Sequence, residues 1–191
     1  DRGLLAVDPA SGRVELLTAQ VDGMPMRFCN NAAVAADGRI FFTDSSAHYS
    51  VHEWKHDLVE ATRTGRLLVR HTDGSVETLL TGLEFANGVA LAADESFVAV
   101  AETGARTVVR RWLTGARAGT RDYLAQDLPG YPDNISRGTD GLIWVAIASP
   151  TDPVVERLKT GPMVLRRGAL ELPAWAQPKP KRTARVVALD A

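Results

Sequence analysis

The sequence contains little that would support disulfide bonding or membrane insertion. Cys29 is the only cysteine among 191 residues, which excludes an intrachain disulfide and leaves no sign of an oxidising compartment. Charged residues interrupt every long apolar stretch within about ten residues, too few to cross a bilayer. We therefore predict no membrane-spanning segment in this sequence, and no signal peptide is visible.

An excess of either charge is also lacking. The 22 Lys and Arg residues balance 23 Asp and Glu residues, so the formal net charge is −1. Binding to nucleic acid or to anionic lipid requires clustered positive charge, and neither partner is expected. The one basic run, at 179–185, is interleaved with prolines and is interpreted as a solvated connector. Phosphate-binding glycine motifs and the G-x-S-x-G motif of serine hydrolases are absent.

What the sequence does contain is repetition. In three segments, Asn or Asp precedes a short apolar strand, an acidic turn and a second strand. These segments are residues 30–44, 87–102 and 133–147. The turn acids Asp37, Asp94 and Asp140 each lie seven residues after the first residue of the segment. Two of these acids precede glycine, which adopts positive φ readily, so three equivalent β-hairpins are predicted.

Segments of a second kind lie between these hairpins. Residues 3–18, 65–80 and 106–124 are predicted to form further hairpins, and 184–191 the first strand of another. One hairpin of each kind makes a four-stranded unit of about 45–60 residues, the size of a β-propeller blade. We therefore predict an all-β fold, in which residues 1–191 form a single domain of about three and a half propeller blades. The remaining blades are expected from a missing part of the chain or from another chain.

Two segments interrupt the repeat and are predicted to be cap insertions with short helices. They are residues 45–64, with apolar residues at helical spacing, and residues 148–183, with six prolines. Long insertions on a propeller usually cover one mouth of the channel. The first insertion contains His-Glu-x-x-His at 52–56, the pattern of a zinc protease helix. Because no third ligand has a matching spacing, we interpret His52 and His56 as residues at the edge of a docked helix.

The repeat register predicts a metal site. Asn30, Asn87 and Asp133 each precede the first strand of a hairpin, and the first strand of a propeller blade lines the channel. Their side chains should therefore converge. Amide and carboxylate oxygens suit a hard cation such as Ca²⁺. Taken singly, each residue has a simpler interpretation, because Asn and Asp favour turns, but the register-matched set favours a cation.

Several motifs resemble those of the strictosidine synthase-like family. They are FCNNAAVAADGRIFFTDSS (28–46), GRLLV (65–69), FANGVALAADESFVAVAETG (85–104) and LPGYPDNISRGTDGLIWVA (128–146). This family includes adipocyte plasma membrane-associated protein and lies among six-bladed propellers with gluconolactonase, regucalcin and the paraoxonases. The resemblance implies that about half of a six-bladed propeller is present.

The resemblance also implies ligands for a catalytic divalent cation, usually Ca²⁺, in the channel. Asn30, Asn87 and Asp133 match ligand positions of the family's metal-dependent hydrolases, and Asn134 matches a ligand of the paraoxonase branch. The family's first-blade glutamate ligand has no counterpart in these residues. Asn31 replaces an aspartate that helps to bind a second, structural calcium in paraoxonases, so that second site is not expected.

The activity implied by the resemblance is metal-dependent hydrolysis of a small-molecule lactone or ester, of the gluconolactonase or arylesterase type. His48 matches a position near the paraoxonase active site, which makes it a candidate for substrate contact. Strictosidine synthases instead condense an amine with an aldehyde in a metal-free Pictet–Spengler reaction, using a glutamate beyond the region matched here. That lyase activity remains an alternative, as does a non-catalytic propeller that serves as a binding platform.

Overall fold

The computed structural model describes residues 2–173, 175 and 183–190, which are built mainly from antiparallel strands. The strands are β1 (Leu4–Val7), β2 (Val14–Thr18), β3 (Gln20–Val21), β4 (Met24–Pro25), β5 (Cys29–Val34), β6 (Ile40–Asp44), β7 (Gly65–Arg70), β8 (Val76–Leu83), β9 (Ala86–Leu91), β10 (Phe97–Glu102), β11 (Thr107–Trp112), β12 (Arg121–Ala125), β13 (Gly130–Arg137), β14 (Ile143–Pro150) and β15 (Arg185–Leu189). The α-helices are α1 (Trp54–Glu60), α2 (Pro153–Thr160) and α3 (Met163–Leu170), and 3₁₀ turns occupy Val51–Glu53 and Gly115–Arg117. Within this described part, no helix is long and apolar enough to cross a bilayer.

Two of the sheets are four-stranded meanders in which each strand pairs with the next one along the chain. One has the order β5-β6-β7-β8 and the other β9-β10-β11-β12. A third sheet contains β13, β14 and β15, while β1 pairs with β2 and β3 with β4. Two successive hairpins of different kind therefore build one blade, and the predicted partial β-propeller is confirmed.

The first two strands of each blade form a hairpin, and these three hairpins have the same kind of turn. In each turn, an aspartate side chain accepts a hydrogen bond from the backbone N–H two residues later. The pairs are Asp37–Arg39, Asp94–Ser96 and Asp140–Leu142, at 3.0, 2.9 and 3.1 Å. Gly38 and Gly141 then take positive φ, and in the second blade Glu95 does so at 55°. Glu95 Oε1 also accepts from the backbone N–H of Ala36 at 2.8 Å, which ties this turn to the preceding blade.

Apolar side chains fill the space between neighbouring blades. One cluster joins Phe41 and Leu67 of the first blade to Val98 and Val100 of the second. Another joins the second blade to the third, through residues such as Ile143. Full burial of one such side chain contributes about 1.5–3 kcal/mol. This packing sets the first strands of the three blades, β5, β9 and β13, side by side in chain order.

The helices lie in the two predicted insertions and contact one another. Helix α2 begins at Pro153, and the side chain of Asp152 caps it by accepting from the Val154 N–H at 2.8 Å. Helix α3 is tied to α1 because both Arg166 and Arg167 reach Glu60, the last residue of α1. Residues 174 and 176–182, which include part of the predicted connector and of the second insertion, lie outside the described residues.

Candidate functional site

A pocket of about 380 Å³ lies between the three helices and the starts of β5, β9 and β13, the first strands of the three blades. Its volume is within the range typical of small-molecule sites. The blades contribute a polar part that includes Asn30, Asn87, Thr103, Asp133 and Ser149. The helices contribute Trp54, Leu58, Val59, Val155, Lys159 and Leu170. The pocket therefore has polar groups at its blade side and mainly apolar groups where the helices cover it.

Three of the predicted ligand residues meet in this pocket. Asn30 lies in β5, Asn87 in β9 and Asp133 in β13, and all three line its surface. They are brought together because each is near the start of the first strand of its blade and the three strands are neighbours. Their function as metal ligands remains a prediction.

The other two predicted site residues lie elsewhere. Asn134 is exposed and accepts a hydrogen bond through Oδ1 from Nδ2 of Asn31 at 3.1 Å. Asn31 Oδ1 in turn accepts from the backbone N–H of Val89 at 3.1 Å, so this chain of bonds links β5, β9 and β13. His48 is exposed, and neither His48 nor Asn134 is among the residues that line the pocket. Substrate contact by His48 and metal binding by Asn134 remain predictions.

The hydrogen bonds of the Asn87 amide indicate whether a cation would suit the pocket. Nδ2 donates to Oγ1 of Thr103 at 3.1 Å, whereas Oδ1 is buried and has no hydrogen-bond partner among the described residues. Leaving a buried acceptor unpaired costs about 1–3 kcal/mol. An oxygen left without a donor in the same pocket as the Asp133 carboxylate suits a hard cation.

The donor set limits which cation fits. Within the described ranges, no group of three or more His, Cys, Asp or Glu side chains could hold a metal ion. One carboxylate and two amides suit Ca²⁺, which takes six to eight oxygen ligands. Water, substrate or further protein groups would have to complete its coordination.

Aromatic residues surround these polar groups at a fixed offset. Phe28, Phe85 and Tyr131 each lie two residues before the polar residue of their blade, and all three line the pocket. The rings of Phe28 and Phe85 pack edge to face with centroids 5.3 Å apart. Phe85 adopts φ of 61°, which costs a residue with a side chain roughly 1–2 kcal/mol.

Buried carboxylates at the ends of the second strands hold the backbone just before each asparagine. Oδ1 of Asp44 accepts from the backbone N–H of Phe28 at 2.9 Å, and its other oxygen accepts from Arg66 at 2.6 Å. In the next blade, Oε1 of Glu102 accepts from the backbone N–H of Glu84 at 2.9 Å. A buried carboxylate thus fixes the approach to Asn30 in one blade and, one position earlier in the repeat, the strained turn before Asn87 in the next.

Two polar contacts tie helix α2 to the blades at the pocket. Lys159 Nζ lies 2.5 Å from Oε1 of Glu84 and donates to the carbonyl of Gly104. Tyr131 donates through its hydroxyl to Oε1 of Glu156 at 2.9 Å. Burial, with the neighbouring Glu156 carboxylate, raises the pKa of Tyr131 far above its ordinary value. Tyr131 therefore stays a neutral donor at physiological pH.

Comparison with known proteins relates part of the chain to one family. Residues 30–116 match the strictosidine synthase family. The chain is 42% identical over 149 residues to Protein STRICTOSIDINE SYNTHASE-LIKE 10 of Arabidopsis thaliana, a match that covers 77% of this chain and 40% of the relative. The chain is therefore similar to the strictosidine synthase-like family. It is also 39% identical over 152 residues to adipocyte plasma membrane-associated protein of Salmo salar, covering 77% of this chain and 36% of that protein.

Structural comparison supports the fold of this strictosidine synthase-like chain. A gluconolactonase from Xanthomonas campestris aligns with a TM-score of 0.62 at 22% identity, over 78% of this chain and 50% of that structure. At this identity the similarity shows a shared fold. The chain spans about 40% of the length of the curated relatives that it matches.

The aromatic residues beside the candidate ligands, and Lys159, were not predicted from the sequence as residues of the pocket. The aromatic residues at Phe28, Phe85 and Tyr131 had a usable signal, because each stands at the same offset from a residue already singled out. Lys159 had none, since it lies in an insertion outside the repeat and reaches Glu84 only through the packing of α2.

Proposed function

We propose that this pocket binds a divalent cation, most simply Ca²⁺, and forms part of a site that hydrolyses a small-molecule lactone or ester. The observation that carries the proposal is the meeting of Asn30, Asn87 and Asp133 in one pocket, where Oδ1 of Asn87 is buried and has no hydrogen-bond partner in the described part of the chain. These three side chains would hold the cation. A cation bound there would supply Lewis-acid polarisation of a carbonyl group and a lowered pKa for a bound water.

The chain's own residues would then perform three tasks. Asp133 provides the negative charge of the donor set, and the two amides add neutral oxygens. Phe28, Phe85 and Tyr131 flank the polar groups and limit access of water, which strengthens electrostatic interactions near the polar groups. The apolar side chains of α1 and α2, such as Trp54 and Val155, would bind the non-reacting part of a substrate.

A metal-free lyase is the second candidate, and the family match at residues 30–116 favours it. This candidate predicts that the same pocket binds an amine and an aldehyde with no cation requirement. The Asn87 oxygen that has no partner among the described residues fits both candidates, because a cation or the N–H of an amine substrate can pair with it, so cation binding is the measurement that separates them.

The test uses the full-length protein. Calcium binding by calorimetry and initial rates on phenyl acetate and on a set of lactones would be measured for the wild type, Asn87→Ala and Asp133→Ala. We expect saturable Ca²⁺ binding and turnover that chelator abolishes, with both variants losing at least about tenfold in affinity. A double His52→Gln, His56→Gln variant is the control and should keep wild-type metal content.

Three results would contradict the proposal. If Asn87→Ala hydrolyses substrate at the wild-type rate and binds Ca²⁺ with wild-type affinity, Asn87 is not a ligand of the cation. Formation of a Pictet–Spengler product in chelator, with no turnover of esters or lactones, would favour the lyase instead. A folded protein with neither activity and no cation binding would support a binding platform.

A further inference from the structure

The amide of Asn87 belongs to a chain of hydrogen bonds that leaves its blade. Nδ2 of Asn87 donates to Oγ1 of Thr103 at 3.1 Å, and the Thr103 hydroxyl donates to the carbonyl of Pro132 at 2.7 Å. Pro132 immediately precedes Asp133 in the third blade. Two consecutive hydrogen bonds thus connect the side chain of Asn87 to the backbone just before Asp133, the next candidate ligand.

The preceding blade repeats this arrangement. Nδ2 of Asn30 donates to the hydroxyl of Ser45 at 2.9 Å, and that hydroxyl donates to the carbonyl of Ala86 at 2.6 Å. Ala86 immediately precedes Asn87. The two hydroxyls come from equivalent places, one residue beyond the end of β6 and of β10. We call these two chains of bonds the amide–hydroxyl relays.

The chemistry of a hydroxyl fixes the direction of each relay. A hydroxyl has one hydrogen, and a backbone carbonyl only accepts, so the hydrogen of Thr103 is committed to Pro132. The Thr103 oxygen can then only accept from Asn87, which must present its NH₂ group. The amide oxygen of Asn87 is therefore turned to the other side, where it is buried in the pocket wall and no described residue donates to it. The same logic orients Asn30 through Ser45.

We propose that Ser45 and Thr103 are positioning residues of the candidate cation site. They hold the amide oxygens of Asn30 and Asn87 toward the cation and couple neighbouring ligands across the blade boundary. This inference rests on the proposed function. Without the hydroxyl, an amide can rotate by half a turn and present its NH₂ group, which repels a cation. Loss of such an outer contact typically weakens metal binding by about 10–100-fold.

Thr103→Val is the direct test, because it keeps the shape of the side chain and removes the hydroxyl. Ca²⁺ affinity of the full-length protein would be measured by calorimetry, well below the melting temperature of each variant. We expect binding at least about tenfold weaker than in the wild type. Thr103→Ser restores the hydroxyl and should bind within about threefold of the wild type. Ser45→Ala tests the other relay and should weaken binding in the same direction.

Thr107→Val is the matched control for loss of a buried threonine hydroxyl. Thr107 lies in the same blade, is 8% exposed and donates to Oε2 of Glu102 at 2.8 Å, outside both relays. This variant should melt at a lower temperature and keep wild-type affinity. A merely structural role for Thr103 predicts that the two valine variants weaken binding alike.

The outcomes separate the two proposals. If the wild type binds Ca²⁺ and folded Thr103→Val and Ser45→Ala bind it equally well, the positioning role is overturned and the cation site stands. If Thr107→Val weakens binding as much as Thr103→Val, the positioning role is likewise overturned. A wild-type protein that binds no divalent cation overturns the proposed function and the positioning role together.

Discussion

Replacing Gly88 with alanine should disturb the point where the second and third blades come closest. Gly88 follows Asn87 in β9, and a Cβ built there would lie 2.3 Å from the backbone nitrogen of Ile135 and 2.7 Å from Cα of Asn134. Both contacts are with the backbone of β13, which cannot move aside as a flexible side chain would. To reach ordinary contact at about 3.4 Å, β9 and β13 must separate by about 1 Å.

The size of the effect follows from this clash. Overpacking of a filled interior usually costs about 1–3 kcal/mol, and here the yielding atoms belong to two strands, so we expect about 3 kcal/mol. Urea unfolding would measure this loss, and the melting temperature should fall by at least roughly 5 °C. Since Asn87 and Asp133 adjoin the clash, the separation should also weaken Ca²⁺ binding.

Gly168 supplies the control for the same substitution. It lies inside α3, and a Cβ there would meet nothing within 4 Å. Alanine is the better helix former, so Gly168→Ala should leave stability unchanged or raise it by about 0.5–1 kcal/mol. If Gly88→Ala has the same melting temperature as the wild type and Gly168→Ala, then β9 and β13 do not approach closely enough at Gly88 to exclude a Cβ. The placement of Asn87 next to Asp133 would then be refuted with it.

Two further predictions concern buried or paired charges. Hydrogen bonds from Arg110 lower the pKa of Asp122 from its ordinary 3.8 to about 2, so this carboxylate stabilises the fold above pH 4 and its contribution is lost as the pH falls toward 2. Asp122→Asn should therefore cost about 1 kcal/mol at pH 7, and urea unfolding should show a smaller loss of stability between pH 4 and 2 than in the wild type; equal acid slopes would contradict this. Lys159→Met should cost about 1–3 kcal/mol, because the Glu84 carboxylate is only 7% exposed and keeps Arg63, at 3.3 Å, as an ion-pair partner. Adding Glu84→Gln should recover part of that loss in a double-mutant cycle, and additive effects would show that the pair is not coupled.

The strand repeat could be predicted because its signals are local. An aspartate that accepts from the N–H two residues later turns the chain whether or not glycine follows, as Asp94 shows with Glu95 at a φ of 55°. Once the hairpins are in register, equivalent residues of neighbouring blades must face the same pocket. The meeting of Asn30, Asn87 and Asp133 is thus a consequence of period and register alone.

The rest of the pocket depends on contacts that carry no local signal. Lys159 reaches Glu84, 75 positions earlier (159 − 84), only because α2 packs over the second blade. The placement of Asn134 depends on an irregularity in β13, where pairing with β14 shifts between Pro132 and Ile135. A shift of this kind changes which face a side chain takes, and strand periodicity does not reveal it.

The His-Glu-x-x-His stretch shows why spacing acquires meaning only from the element that carries it. Two histidines four residues apart share a face in a continuous α-helix, but here His52 lies in a 3₁₀ turn and His56 in α1. The carboxylate of Glu53 already accepts from the hydroxyl of Ser50 at 2.9 Å, and the His56 ring stacks on Tyr49 with centroids 5.4 Å apart. Ser50 and Tyr49, which precede the motif in the chain, thus already contact these groups. By contrast, the candidate ligands stand 57 and 46 positions apart (30 to 87, 87 to 133), and the repeated strand register brings them to one pocket. There, Oδ1 of Asn87 is left without a hydrogen-bond partner among the residues that the structure describes.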